Sequence, residues 1–171
     1  MPDPRATIGL AQAGVQLRHG DEVSYGKAPA GQRGFREVYF NEVKDRIDAS
    51  RVHFVGRVPY DTLVTLLRVS AVHVYLTVPF VLSWSMLEAM SLGALVVGSA
   101  TPPVQEVIEH GRNGLLVDFF DPAQLADTVC EALARPAAYA AMRAQARQDI
   151  VQRYDFRGVS LPAYLRLIEG G

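Results

Sequence analysis

The sequence has one cysteine, Cys130, and one tryptophan in 171 residues. A lone thiol excludes an internal disulfide and a CxxC pair, so the chain is no disulfide-stapled scaffold, and it fits a reducing compartment. Apolar runs are short, each broken by polar residues well before the roughly 20 positions that a membrane-spanning helix needs. Residues 1–20 (MPDPRATIGLAQAGVQLRHG) lack the basic and apolar regions of a secretory signal, which makes a cytoplasmic location the expectation. Charge of neither sign prevails: 17 Lys and Arg face 18 Asp and Glu, a net charge of −1. Nothing overall invites nucleic acid or an anionic membrane. There is no GxxxxGK[ST] segment, no tight GxGxxG, no HExxH, no Cys/His ligand spacing and no GxSxG elbow, so neither a metal nor a cofactor is expected. No repeat of fixed period occurs.

What is present is a chain that is 49% hydrophobic, long enough for one sizeable core. Five short apolar stretches read as strands: AGVQLRH (13–19), the weakest, then RVHFVG (51–56), AVHVYL (71–76), ALVVG (94–98) and GLLVDF (114–119). Their Val, Leu and Phe density without strict alternation suits strands covered on both faces. Helical spacing fills the intervals: Phe35, Tyr39, Val43 and Ile47; then Leu63, Leu66 and Leu67; then Ser85 to Leu92 ahead of Gly93. Repeated strand–helix units predict an α/β fold, a three-layer Rossmann-like domain around a mostly parallel sheet. Residues 1–171 read as a single partial domain whose portion 121–169 is helical. There Asp121 and Pro122 open a helix with Leu125, Val129 and Leu133 on its buried stripe. Pro136 ends it, Tyr139, Met142, Ala146 and Ile150 begin another stripe, and Leu161, Tyr164, Leu165 and Ile168 a third. Segment 20–34 (GDEVSYGKAPAGQRG) reads as a long solvated loop.

Ligands of parallel sheets bind beyond the carboxyl ends of the strands. Residues 77–85 leave the third apolar stretch at that edge, with Ser83, Trp84 and Ser85 at the start of the next helix. Backbone N–H groups there lack internal partners and favour an anion, yet a serine at such a place also serves as an ordinary cap. Glu88 stands three residues after Ser85, the spacing of a capping box; equally, a carboxylate one turn into the helix can accept the hydroxyls of a ribose. Spacing leaves both roles open. His53 and His73 sit in strands between apolar neighbours, where satisfied histidines are expected; His19 and His110 cluster with neither.

Three stretches together, VGRVPYDTLVTLLRVSAVHVYLT (55–77), LEAMSLGALVVGS (87–99) and VQEVIEHGRNGLLVDFFDP (104–122), resemble the donor-binding half of glycosyltransferase family 4, whose members have the two-domain GT-B fold. The likeness spans about residues 51–135 and lies in the order of the motifs. It implies a nucleotide-diphosphate sugar as donor substrate and transfer of the sugar to an unknown acceptor with retention of anomeric configuration. By this resemblance Glu88 holds the nucleotide ribose. The family's other acid lies eight positions earlier, where this chain has Phe80. Val81 to Ser85 replace the family's glycine-rich segment, so Leu82 and Ser83 are the expected main-chain donors, with Trp84 able to stack on base or sugar. Gly56 and Arg57 match the region near base and phosphates; Lys27, Arg33, Arg36 and Asp21 are weaker candidates. Glu106 and Thr101 are expected to shape the site rather than touch the donor.

No residue is assigned as catalytic nucleophile, because the implied role of the site is to orient the donor and stabilise its departing charge. The family's acceptor domain and part of its donor domain have no counterpart in the sequence, so the chain alone is expected to transfer little or nothing. A noncatalytic nucleotide- or carbohydrate-binding module is the alternative, and a protein-interaction domain a third reading. The apolar stripe over 139–168 is expected either to stay exposed or to be covered in a homodimer.

Overall fold

The computed structural model describes residues 8–10, 35–55 and 58–170. The chain falls into two compact units that part at Pro59 and Tyr60. In the first, strand β1 (Ile8–Leu10) pairs in parallel with β2 (Val52–Phe54), Gly9 opposite His53. Helix α1 (Phe35–Val43) precedes β2, and the rings of Phe40 and Phe54 meet edge to face at 5.4 Å. The strand at Ile8–Leu10 was not foreseen, and the one expected at 13–19 lies outside the described residues, as do Asp21, Lys27 and Arg33. A 3-10 turn, Lys44–Arg46, ends α1 before Ile47, which was expected to continue it.

The second unit carries the site. Its elements are α2 (Tyr60–Val69), β3 (Val72–Tyr75), α3 (Trp84–Ser91), β4 (Leu95–Ser99), α4 (Pro102–Gln105), β5 (Leu115–Val117), α5 (Pro122–Ala134), α6 (Ala140–Tyr154) and α7 (Leu161–Glu169). The strands form one parallel sheet in the order β3-β4-β5, with Val74 opposite Val97 and Gly98 opposite Leu116. Every residue of β4 is buried, which requires cover on both faces and explains why its sequence, LVVGS, does not alternate. Leu95 and Val97 face α5 with Leu115, Val117 and Ala132, edged by Val72, Leu125, Val129 and Met142. On the opposite face a methyl group at Gly98 would meet the Val104 side chain at 3.0 Å, so glycine suits the close approach of α4.

Helix α3 ends in a Schellman arrangement. Gly93 takes φ +81°, its N–H donates to the Met90 carbonyl, and that of Ala94 to the Ala89 carbonyl. The reversal leads straight into β4. Met86, Ala89 and Met90 are fully buried along the inner side of α3, which packs against α6 and the strands. Truncating a methionine so placed to alanine typically costs about 2–5 kcal/mol.

Asp121 caps α5 as its sequence implies, accepting from the Gln124 N–H at 2.9 Å. Thr101–Pro103, expected as loop, instead open the single turn α4; the two prolines suit a first turn, whose N–H groups have no helical partners. The stripe predicted from Tyr139 divides. Ala146 and Ile150 are buried in α6, whereas Tyr164, Leu165, Leu167 and Ile168 of α7 are exposed. Among the described residues no helix is long and apolar enough to cross a membrane.

A buried polar network ties the β4–β5 connection to α6. Asp149 accepts from Arg112 at 2.6 Å, from the Asn113 amide at 2.6 Å and from Gln145 at 2.8 Å. Asn113 also donates to the Val107 carbonyl and accepts from the Glu109 N–H. Burial alone would raise the Asp149 pKa, but the hydrogen bonds from Gln145, Asn113 and Arg112 outweigh it and hold it below its ordinary 3.8. His73 behaves differently from expectation: its Nε2 is buried with no partner among the described residues, and burial lowers its pKa from 6.5. His53, expected between apolar neighbours, is exposed.

Both groups bind protons more weakly folded than unfolded, so acid destabilises through each. The Asp149 contribution is complete above about pH 4 and is lost as pH falls through its lowered pKa; that of His73 is complete above about 6.5 and is lost below it. Urea unfolding across pH should therefore show two declines. His73→Leu removes only the upper one, and Asp149→Ala costs about 2–3 kcal/mol at neutral pH.

Candidate functional site

The site is built at the carboxyl edge of the sheet, where β3 ends at Tyr75 and the chain runs to α3. Ser99, last residue of β4 and wholly buried, fixes that run. Its hydroxyl donates to the Thr77 carbonyl and accepts from the Thr77 N–H, both at 3.0 Å, with Thr101 Oγ1 3.4 Å away. A serine thus does the work of another ladder pair beyond the point where the strands separate.

At the mouth of α3, Ser83 is the cap: its Oγ accepts from the Ser85 N–H at 3.3 Å and lies 3.0 Å from Ser85 Oγ. The Ser83 N–H is not open to a ligand, because it donates to the Tyr75 hydroxyl at 2.9 Å. This corrects the expectation that Ser83 offers its main-chain donor directly. A phenol that accepts a hydrogen bond still has its own proton to give, so Tyr75 presents an O–H where the backbone N–H was expected. Composition gave no hint of this role: Tyr75 reads as one more strand aromatic.

Glu88 does not complete a capping box. The cap is Ser83 rather than Ser85, which places Glu88 in the second turn, beyond the reach of that motif. Its half-buried carboxylate instead accepts from Tyr60, whose hydroxyl lies 3.2 Å from Oε1 across 28 residues. The charge of Glu88, and then the hydrogen bond to it, push the Tyr60 phenol above its ordinary 10.0. Tyr60 was missed because its pairing is set by how α2 and α3 pack.

Other expected residues stand apart. Trp84 is 81% exposed and so forms no part of the core; Phe80 is 73% exposed on the loop before it. Leu82 is half-buried between them. Thr101 is buried at the N-terminus of α4 without capping it, and Glu106 ends that turn with its backbone carbonyl accepting from Arg153 at 3.3 Å. Gly56 and Arg57 lie outside the described residues. His110 is architectural, its Nδ1 accepting from the Leu116 N–H at 2.9 Å.

The elements from α2 to α5, with a carboxylate and three hydroxyls at one end of a parallel sheet, lie within residues 23–135, and the model of the family "Glycosyl transferases group 1" matches that same span. The chain belongs to this family. Its solved structural neighbours are GT-B glycosyltransferases, and the fold is theirs. Sucrose-phosphate synthase of Thermosynechococcus elongatus aligns with a TM-score of 0.69 at 24% identity, over 85% of this chain and 38% of its own. Anabaena Alr3699/HepE in complex with UDP-glucose aligns with a TM-score of 0.71 at 20% identity, over 82% and 38%. The C-terminal domain of a group 1 glycosyl transferase, LpcC of Francisella tularensis, aligns with a TM-score of 0.65 at 18% identity, over 72% and 64%. The chain thus spans less than two fifths of the first two proteins. No curated protein matches it.

The Tyr60–Glu88 contact has a direct optical readout. In a tyrosinate absorbance titration, the difference between wild type and Tyr60→Phe should show one phenol ionising above pH 10. Glu88→Gln should move that phenol back toward pH 10, and an unmoved midpoint would dissolve the contact.

Proposed function

We propose that the carboxyl edge of the β3-β4-β5 sheet binds the nucleotide part of a nucleotide-diphosphate sugar, as the donor half-site of a retaining glycosyltransferase. Residues 1–171 are read as one partial donor-binding domain. The observation that carries the reading is the side chain of Glu88. It is freed from any capping duty and half-buried in the second turn of α3, the helix whose mouth is lined by Tyr75, Ser83 and Ser85. A ribose diol donates well to such a carboxylate, and each charge-assisted bond contributes about 1.5–3 kcal/mol where water is excluded. The UDP-glucose complex of the neighbouring HepE supports the donor class.

In this reading Glu88 orients the donor and transfers no proton. Hydroxyls at the mouth and Leu82 meet the diphosphate. Trp84 and Phe80 offer aromatic faces at the rim, and Thr101 and Glu106 shape the floor. Stabilising the leaving diphosphate is the chemistry such a mouth supplies. Transfer to an acceptor needs surface beyond this chain, so the chain alone binds donor and turns over little or none. Phe80 favours a second reading. An exposed phenyl where the family has an acid suits a noncatalytic nucleotide- or carbohydrate-binding module.

Titration with UDP and with GDP tests the first reading: one should bind saturably. Glu88→Ala should weaken that binding at least tenfold with unchanged circular dichroism. Absence of saturable binding to either would reject the half-site. Donor consumption by the chain alone would reject its incompleteness.

The exposed Tyr164, Leu165, Leu167 and Ile168 of α7 support a homodimer closed through the C-terminal helices. A dimeric mass at micromolar concentration, turned monomeric by Leu167→Glu with Ile168→Glu, is the expected result. A monomeric wild type would reject the dimer.

A further inference from the structure

Tyr60 opens α2 and Glu88 lies in the second turn of α3, so their hydrogen bond joins two separate elements at one end of the unit. A glutamate has three rotatable side-chain bonds, and one half in solvent samples several rotamers unless something holds it. The Tyr60 hydroxyl is the partner the structure gives this carboxylate. It reaches Oε1, at 3.2 Å, and among the described residues nothing else donates to the carboxylate, which leaves Oε2 to other donors. The phenol remains a donor throughout the physiological range because the neighbouring charge favours its protonated form. With 62% of Tyr60 exposed, the bond is open to solvent on one side and adds little to the stability of the fold. Its consequence falls on the orientation of the carboxylate.

We propose that Tyr60 is a positioning residue for ribose recognition: it fixes Glu88 through Oε1 so that Oε2 is presented, already oriented, to the vicinal hydroxyls of the nucleotide. This rests on the reading of Glu88 as the ribose acceptor. Pre-orientation removes the rotamer entropy that Glu88 would otherwise lose on binding, so its effect is confined to ligands that engage the carboxylate. A nucleotide lacking both ribose hydroxyls gains nothing from Tyr60.

The test uses the 171-residue chain with UDP and GDP, each beside its 2′,3′-dideoxy counterpart, measured by calorimetry. Wild type should prefer the ribonucleotide, and Glu88→Ala should abolish the preference. Tyr60→Phe, which keeps the ring and loses the hydroxyl, should weaken ribonucleotide binding about three- to tenfold and leave the dideoxy form unchanged. If Tyr60→Phe keeps the wild-type ratio while Glu88→Ala loses it, Tyr60 has no positioning role and the ribose reading of Glu88 survives. If Tyr60→Phe weakens both forms equally, its effect is structural and the inference falls. If wild type shows no ribose preference, the inference falls together with the reading beneath it.

Discussion

The second unit depends on the burial of β4 on both faces. Five consecutive residues, Leu95 to Ser99, are removed from water, and each end of that strand is joined to the chain that forms the site. At the amino end, the left-handed Gly93 reverses α3 directly into the strand, which fixes where along the sheet α3 runs. At the carboxyl end, the Ser99 hydroxyl holds Thr77 and so sets the course of the segment leading to the mouth of α3. A shift of β4 by one residue would exchange Leu95 and Val97 for Val96 and Gly98 against α5, and would carry the Ser99 clamp out of reach of Thr77. Register, helix position and site geometry are therefore one constraint.

Two carboxylates show how differently the same fold treats charge. Asp149 is buried and receives hydrogen bonds from three side chains on two segments, each offsetting part of the cost of burying its charge. Glu88 is half-buried and, among the described residues, holds a single, longer bond from Tyr60. The first is a joint between the β4–β5 connection and α6. The second retains acceptor capacity, which a joint would have used up.

Much of this architecture was legible in the residues. β2, β3 and β5 fall within the apolar stretches assigned to them, and β4 runs one residue past its own, to Ser99. Of these strands only β4 is buried along its whole length, as its continuous Leu and Val run implies, whereas β2 and β3, expected to be covered on both faces, are partly exposed. The Asp121–Pro122 helix start is local chemistry and holds; of the expected α5 stripe, Leu125 and Val129 pack half-buried against the core, whose fully buried residue on this helix is Ala132. The strand at Ile8–Leu10 was missed because three residues without polar alternation give no period to count. Glu88 was singled out by spacing and motif order, but its partner was not: the link to Tyr60 depends on the packing of α2 beside α3. Likewise Arg112, Asn113 and Asp149 look like ordinary surface residues in the sequence, since their pairing crosses 36 and 37 positions. The cap moved from Ser85 to Ser83 because the helix begins at Trp84, one residue earlier than the apolar pattern suggests.

The residues at the mouth explain how such a site can be polar without glycines. Val81, Leu82 and Trp84 carry side chains that keep a ligand from lying directly on the backbone there. The N–H groups of Ser83, Ser85 and Met86 already have partners within the protein. What the mouth carries instead is a set of hydroxyls on Tyr75, Ser83 and Ser85, hydrogen-bonded within the protein yet each able to donate as well as accept. A ring of fixed N–H dipoles favours an anion before it arrives; rotatable hydroxyls must be ordered by it, which gives up part of the electrostatic preorganisation on which leaving-group stabilisation depends. Phe80 places an exposed ring rather than a charge on the loop at the same edge. The mouth of α3 thus combines rotatable hydroxyls with an uncharged loop, Val78 to Leu82, and any anion it met would have to order those hydroxyls itself.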